Sequence, residues 1–406
     1  MNPAHIDYDA TAEEDEVRSL VHRFALEVLR PAGQVLDRLS AAEVIARDSI
    51  LWDVHRRWDA LGVRVLTGAG ELSPVQLARL NAIVTEELGW GDAGLAISLG
   101  AAEFPSMLAA ISQNPRLVAE FPSSRLGCWA ITEPDHGSDA LDLGADGPPP
   151  GLRRPNCVAR REGDHYVVDG QKAAWVSNGP VATAAALYTA IDDGDGVGGF
   201  GVLLVDLTAP GVSRGSPLEK MGQRALPQGE IFFDGVRVPA ENLVIPKEAY
   251  FPGLEITLCT ANGYMGATFV GLARAAFEMA LAYAKERVQG GRPIFEHQHI
   301  KLKLFEMFRK IEAARSLNRR VLLFNTVSNP LAGASNGAFP AVQYAIASKV
   351  TSTQTAFEVA TEALQIFGGN GLSHEYPIEK LLRDARASLI EDGCNEVLAL
   401  HAAEKF

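Results

Sequence analysis

Apolar positions recur every three or four residues through Val17–Leu39, Ile50–Leu61, Pro74–Leu88 and Leu108–Glu120. That period gives an α-helix one buried face, and because Gly and Pro part these stretches, the chain to Pro122 is expected to be all-α. At Gly127 the pattern changes. Cys128–Thr132, Cys157–Arg161, Tyr166–Asp169, Ala184–Ala190, Phe200–Asp206, Val212–Arg214 and Glu230–Val238 are short, rich in β-branched or aromatic residues, and bounded by Gly, Pro, Asp and Asn. These read as strands of a compact β domain, a small barrel or sandwich. Within it Asp142–Asn156 is expected to be a mobile loop, and Val236–Leu243 the last strand to leave the domain. After Pro252 the helical period returns in Leu254–Gln289, Glu296–Asn329, Phe339–Phe367, a short Pro377–Ser388, and a last helix from Asn395. Long antiparallel helices with short joints make a bundle. The expected fold is therefore mainly α with a central β domain, divided as 1–126 helical, 127–243 β and 244–406 helical bundle.

Composition adds exclusions. Of 406 residues, 47% are apolar and 21% charged, ordinary for a globular chain. A formal net charge of −13 argues against nonspecific binding to nucleic acid or an anionic membrane, since the long-range field repels a polyanion. The start is acidic and lacks the apolar core of a leader, no run approaches the ~18 apolar residues of a membrane span, and a cytoplasmic protein is expected. Cys128, Cys157, Cys259 and Cys394 lack metal-type spacing and read as reduced thiols.

Four stretches carry chemistry. Thr132-Glu-Pro-Asp-His-Gly-Ser-Asp139 ends a strand in a Gly-Ser turn, either a cradle for an anion such as a pyrophosphate or a plain Asx/Ser turn. In Gly170-Gln-Lys-Ala-Ala-Trp-Val-Ser-Asn-Gly179, Trp175 and Ser177 are two apart and are expected on one side of a strand. There they would either stack on a heteroaromatic ring and bond its edge, or pack into the core. Glu286–His299 is a basic, Gly-rich joint whose Arg287 and Arg292 suit a phosphate, whereas His297 and His299 cannot share a helix face and do not make a metal pair. No metal site is expected. Gln365–Asn395 ends a helix in a Gly-rich turn, restarts a charged helix, and sets Glu391 and Asp392 just ahead of Gly393. Gly369-Asn-Gly371 follows a helix rather than a strand, so a dinucleotide fingerprint fails.

Taken in register, these stretches resemble the acyl-CoA dehydrogenase family. Thr132–Asp139 resembles its first signature, and Gln365-x-x-Gly-Gly-Asn-Gly-Leu with Glu375-Tyr-Pro, Lys380 and Arg383-Asp384 its second. Lys220-Met-Gly-Gln-Arg, Phe232–Leu243 and Glu286-Arg…Glu296-His-Gln298 fit between them, so the resemblance covers essentially the whole chain. It implies an N-terminal helical domain, a middle β-barrel and a C-terminal four-helix bundle, with FAD between barrel and bundle. It also implies a homo-oligomer, tetramer or dimer, whose subunits complete one another's sites. Ile131, Thr132, Gly137, Ser138, Trp175 and Ser177 match flavin-side positions. Arg287 and Gln298 match positions that reach a neighbour's FAD, with Gln365, Gly368 and Gly369 at its adenosine end. Gly290 stands where many members carry an aromatic.

The implied reaction is α,β-dehydrogenation of an acyl-CoA thioester in lipid metabolism, with an electron-transferring flavoprotein as acceptor. The base falls on Asp392, where most members have Glu, with Glu391 as the neighbouring alternative. The second place where some members keep the base is Ala261, and a supporting Arg is replaced by Asn262. These departures suggest a branched, alicyclic or polyketide-like acyl chain, or a site without activity. An oxidase or flavin monooxygenase on the same fold, and a non-catalytic partner subunit supplying Arg287 and Gln298 to a sister chain, stay open as alternatives.

Overall fold

The structure is a computed structural model that describes residues 10–64, 72–141, 155–328 and 341–406. The helices of the first segment are α1 (Ala12–Phe24), α2 (Arg30–Leu36), α3 (Ala41–Val44), α4 (Ile50–Leu61), α5 (Pro74–Gly91), α6 (Ala93–Ile111) and α7 (Pro115–Glu120). Their starts are written locally. Thr11 with Glu14, Ser40 with Glu43 and Ser73 with Gln76 form capping boxes that satisfy the orphan N–H groups of α1, α3 and α5. A π-helical turn, Ala25–Leu29, joins α1 to α2, so the expected helix Val17–Leu39 is continuous to Leu36.

Helix α6 departs from expectation. It begins at Ala93 rather than Leu108, and the expected helix Leu108–Glu120 is cut where Asn114 caps α7. Nearly every residue of α6 is buried, so it has no polar face and no period to read. The expectation that no run approaches membrane-span length is also corrected. Helix α6 and the stretch Lys247–Glu286 are long and apolar enough to cross a membrane, but 78% of each apolar window is buried inside the fold.

The β segment holds β1 (Gly127–Ala130), β2 (Val158–Glu162), β3 (His165–Lys172), β4 (Ala184–Asp192), β5 (Val197–Asp206), β6 (Val212–Arg214), β7 (Ile231–Pro239) and β8 (Leu243–Ile245). They form one mixed sheet, in the order β6-β7-β3-β2-β4-β5-β8, with β1 also on β4. β1 and β2 run parallel to β4, and the other pairs are antiparallel. Strand β4 is buried on both faces, which explains its unbroken apolar run. Its Ala185, Leu187 and Ile191 enter the sheet's own core, and Ala184, Ala186 and Tyr188 pack against helices. The exit from the sheet differs from expectation: β7 stops at Pro239, a 3₁₀ turn spans Ala240–Asn242, and β8 adds one more strand. Of the expected loop Asp142–Asn156, residues 142–154 lie outside the described residues.

The last segment contains α8 (Tyr250–Glu286), a two-stranded hairpin β9 (Val288–Gln289) and β10 (Arg292–Pro293), α9 (Gln298–Val327), α10 (Val342–Phe367), α11 (Ile378–Ala387) and α12 (Asn395–Ala403). Helix α8 is the axis of the molecule and packs against α5, α9 and α10. It lies so close to α5 that a Cβ on Gly89 would fall 2.0 Å from the Thr268 carbonyl oxygen. One apolar core is shared by α1, α2, α4–α6 and α8–α11, and a second joins α6–α10 and α12 to β4 and β5. Strands β4 and β5 therefore meet the bundle through common side chains.

Candidate active site

Ser388 closes α11, and the chain then turns through Glu391, Asp392 and Gly393 into α12. Asp392 is left-handed at φ +51, a conformation a short polar side chain tolerates better than most, and Gly393 follows at φ +92. Three contacts hold this turn. Asn395 N donates to Leu389 O at 3.0 Å. Lys349, fully buried on α10, donates to Gly393 O and to Asn395 Oδ1, both at 2.8 Å. Cys394 N donates to Ser138 Oγ at 3.0 Å, which joins the Gly-Ser turn of the first signature to the acidic turn of the second.

The two acids have different partners. Glu391 Oε1 accepts from Gln223 Nε2 at 2.5 Å. Gln223 is itself buried, left-handed at φ +50, and gives its backbone N–H to Asp384. The loop that carries it approaches α11 closely: a Cβ on Gly222 would sit 2.3 Å from Arg383 O, which accounts for the glycine in Lys220-Met-Gly-Gln. The carboxylate of Asp392, by contrast, makes no hydrogen bond among the described residues. Burial pushes Asp392 up to about 6, against the opposing pull of Lys349. Burial, and then the charge of Asp392, push Glu391 up to about 7. Tyr264 of α8 has its hydroxyl raised above the usual range by burial and by Glu103, with Asp392 adding to it, and donates to Ala96 O.

Lys380 and Asp384 of the second signature sit beneath the site as an anchor. Lys380 Nζ lies 2.6 Å from Asp92 Oδ2 and also pairs with Asp384, while Asp92 Oδ1 caps α6 through Leu95 N at 2.9 Å. Arg383 grips Asp37 and the Met221 carbonyl, pinning α11 to the first segment.

On the β side, Ile131 and Thr132 are fixed through their carbonyls, by Lys172 Nζ at 3.2 Å and Ala173 N at 2.9 Å. Gly137 donates to Asp139 Oδ1 at 2.6 Å, and a Cβ there would meet nothing within 4 Å. Trp175 and Ser177 do not lie on a strand as expected. β3 ends at Lys172, Trp175 sits in a turn, and Ser177 makes an isolated bridge to Gln228. The indole is 58% exposed, so the core alternative for Trp175 is set aside. Its turn is held by Asn178, fully buried at φ +62, which donates to Ser98 O at 2.8 Å and accepts from Ser98 Oγ at 2.7 Å. His55, which burial lowers to about 4 and keeps neutral, bonds the same hydroxyl at 3.0 Å.

The remaining predicted residues lie elsewhere. Arg287 leaves α8, Gln298 opens α9, and Gln365, Gly368 and Gly369 end α10; all five are exposed in the chain. The two groups meet through Tyr283, whose ring stacks on Phe367 at 4.1 Å. Gln365 is 16 residues along α10 from Lys349, about 24 Å at 1.5 Å per residue. These five residues are therefore remote from Asp392 within one chain. Sequence reasoning missed Lys349, Gln223, Tyr264 and the Ser98–Asn178 pair. The one available signal was a lysine inside the apolar stripe of Val342–Phe367.

Residues 128–236 match the family description "Acyl-CoA dehydrogenase, middle domain", and residues 262–406 match "Acyl-CoA dehydrogenase, C-terminal domain". The chain belongs to the acyl-CoA dehydrogenase family. It is 32% identical over 396 residues to a cyclohex-1-ene-1-carbonyl-CoA dehydrogenase of Geobacter metallireducens, covering 95% of this chain and 96% of that one. Among solved structures, butyryl-CoA dehydrogenase of Megasphaera elsdenii superposes with a TM-score of 0.79 at 27% identity, covering 98% of both chains. A structure described under "Electron transferring flavoprotein of Acidaminococcus fermentans" gives 0.80 at 25% identity, covering 98% of both. The mainly helical fold with a central mixed sheet is that of this family.

Acyl-CoA dehydrogenases use FAD, and the residues present fit it. The exposed Trp175 face, the Ser177 and Ser138 hydroxyls, and the open space over Gly137 leave room and polar contacts for a large heteroaromatic group with phosphates.

Proposed function

We propose that Asp392 is the base of an acyl-CoA α,β-dehydrogenation carried out by this oxidoreductase. The observation that carries the assignment is the free carboxylate of Asp392, raised to about 6 and held in a left-handed turn whose next residue but one is tied to Ser138. Bound FAD supplies the acceptor for the β-hydrogen as hydride. Asp392 takes the α-proton. A carboxyl titrating near 6 is mostly ionised at pH 7 yet more basic than an exposed aspartate, the balance that general base catalysis favours. Glu391 is engaged by Gln223, and Ala261 has no group to offer, so Asp392 is the free acid of the turn. Aspartate is one methylene shorter than glutamate, so its substrate must bring the α-carbon closer or at another angle. A branched or alicyclic acyl chain answers that demand, in keeping with the cyclohexene-carbonyl-CoA relative.

Arg287, Gln298, Gln365, Gly368 and Gly369, remote from Asp392 yet exposed, serve the FAD of a second copy, so the working form is a homotetramer or a dimer. Ile131, Thr132, Gly137, Ser138, Trp175 and Ser177 serve the chain's own FAD. Electrons leave to an electron-transferring flavoprotein, in a cytoplasmic pathway of acyl-CoA metabolism, and the division 1–126, 127–243 and 244–406 describes the working parts.

Anaerobic visible spectra of the flavoprotein, titrated with straight-chain, branched, cyclic and aromatic acyl-CoA thioesters, test the reading. Bleaching with one class supports it and names the substrate. A flavin unmoved by every member moves the partner-subunit reading ahead.

A further inference from the structure

Three buried lysines make a useful set. Lys172 touches the Glu133 carboxylate at 2.6 Å, and Lys380 touches Asp92 at 2.6 Å and Asp384 beside it. Lys349 is as buried as either but, among the described residues, has no carboxylate in contact. Its two bonds go to neutral oxygens, Gly393 O and Asn395 Oδ1, and a third ammonium proton is left without a partner among the described residues. Asn395 is set for this role because its amide nitrogen donates to Thr353 Oγ1 at 3.1 Å, leaving the oxygen for Lys349. An ammonium buried without a contact anion is costly, and a lysine serving stability alone would be expected to pair as Lys172 and Lys380 do. The charges that answer Lys349 stand a step away, chiefly Asp392 and Glu391, then Cys394 and Glu396.

We infer that Lys349 is a positioning residue for the reaction: its ammonium clamps the carbonyl of Gly393, the residue after Asp392, and keeps the Asp392 carboxylate ionised without bonding it. The inference rests on Asp392 being the base. Not bonding matters. A contact ion pair would lower the basicity of the carboxylate and occupy the oxygen that must take the proton, whereas a nearby ammonium held by neutral acceptors offsets burial and leaves both oxygens free. The other groups facing Asp392 are Glu391 of the same turn and Tyr264 of α8; Lys220 and Gln223 act on Glu391 from the Lys220–Arg224 loop. Among the described residues, Lys349 is the cation acting directly on Asp392.

The test reads anaerobic bleaching of the FAD-loaded enzyme against pH, with saturating acyl-CoA. In the unaltered enzyme the rate should rise through an acid limb. In Lys349→Met that limb should move up by about one pH unit, so that at the wild-type midpoint the rate falls by about fivefold, and well below the limb by about tenfold, beyond any change in its plateau. Asn395→Ala, which keeps the charge and drops one bond of the clamp, should leave the limb in place whatever its plateau. A Lys349→Met limb that coincides with wild type overturns the inference. Should that variant not fold, Lys349→Arg decides: a limb kept with a lowered plateau supports the inference, and a limb displaced upward by about a unit overturns it. Asp392→Asn is read separately. If it bleaches at wild-type speed, the assignment of the base fails, and the positioning role fails with it whatever the Lys349 series shows.

Discussion

Among the described residues two adjacent acidic pairs, Glu86 with Glu87 and the half-buried Glu391 with Asp392, behave in opposite ways. Glu86 and Glu87 lie on α5 against α8 and α9. Burial opposes their charge, but Arg315, Arg274 and Arg319 hold Glu86 down to about 2, and Arg274 with His22 lowers Glu87. The contacts are direct, with Arg274 Nη1 at 2.8 Å from Glu86 and Nη2 at 2.5 Å from Glu87. Glu391 and Asp392, half-buried, are desolvated with no contact cation among the described residues, and both rise, to about 7 and about 6. Burial sets the cost in each pair, and the placement of the nearest cation sets the sign. The first pair is a clamp between helices; the second retains a proton affinity that a reaction can use.

That contrast can be broken at either pair. The largest effect is expected from Asp392→Asn, which should keep FAD yet slow substrate-dependent bleaching by about 10³-fold or more, measured by anaerobic stopped flow. Bleaching at wild-type speed would move the role to Glu391. Next, Arg274→Met should leave Glu86 and Glu87 short of their shared cation and cost about 3–5 kcal/mol in denaturant unfolding, an uncompensated buried charge being the penalty. Gln223→Ala should release Glu391 and loosen the turn beside Asp392, lowering kcat/KM by about tenfold with FAD content unchanged, since small displacements of a reacting group are costly.

The smallest effect sharpens the comparison through pH. Glu391 is raised, so its proton stabilises the folded chain fully below its unfolded value of 4.5, and that contribution is lost as pH rises through about 7. Glu391→Gln should therefore match wild type near pH 4 and exceed it in unfolding stability by about 1–2 kcal/mol at pH 8. Glu86 is lowered from 4.5 to about 2, so its contribution is present above 4.5 and fades as pH falls toward 2. Replacing it by Gln should cost stability at pH 8 and progressively less in acid, the opposite slope. Equal slopes in the two variants would refute the contrast.

Legibility followed the same divide. Helices with one apolar face, and strands bounded by Gly, Pro and Asp, were readable within a few residues; β6 at Val212–Arg214 and α4 at Ile50–Leu61 coincide with expectation. The start of helix α6 is not legible, because burial on nearly all sides removes the period that marks a helix. Residues two apart fit strand alternation, so the spacing of Trp175 and Ser177 reads as a strand, and the buried, left-handed Asn178 shows that the chain turns there. Among the candidate site residues, Asp392 and Glu391 could be named from motif position, but not told apart.

The amino-acid sequence by itself determined the order of helical, β and helical segments, the family, and the pair of acids from which we draw the proposed base. These depend on local periodicity, turn residues and motifs, all of which lie within short windows of chain. What only the tertiary structure decided is which acid stays free. Glu391 is taken by Gln223, 168 residues away, and Asp392 is faced by Lys349 on another helix and tied through Cys394 to Ser138, 256 residues from it. Ionisation in a buried turn is governed by the nearest charges and dipoles in space, and the fold brings those from parts of the chain that no local pattern connects.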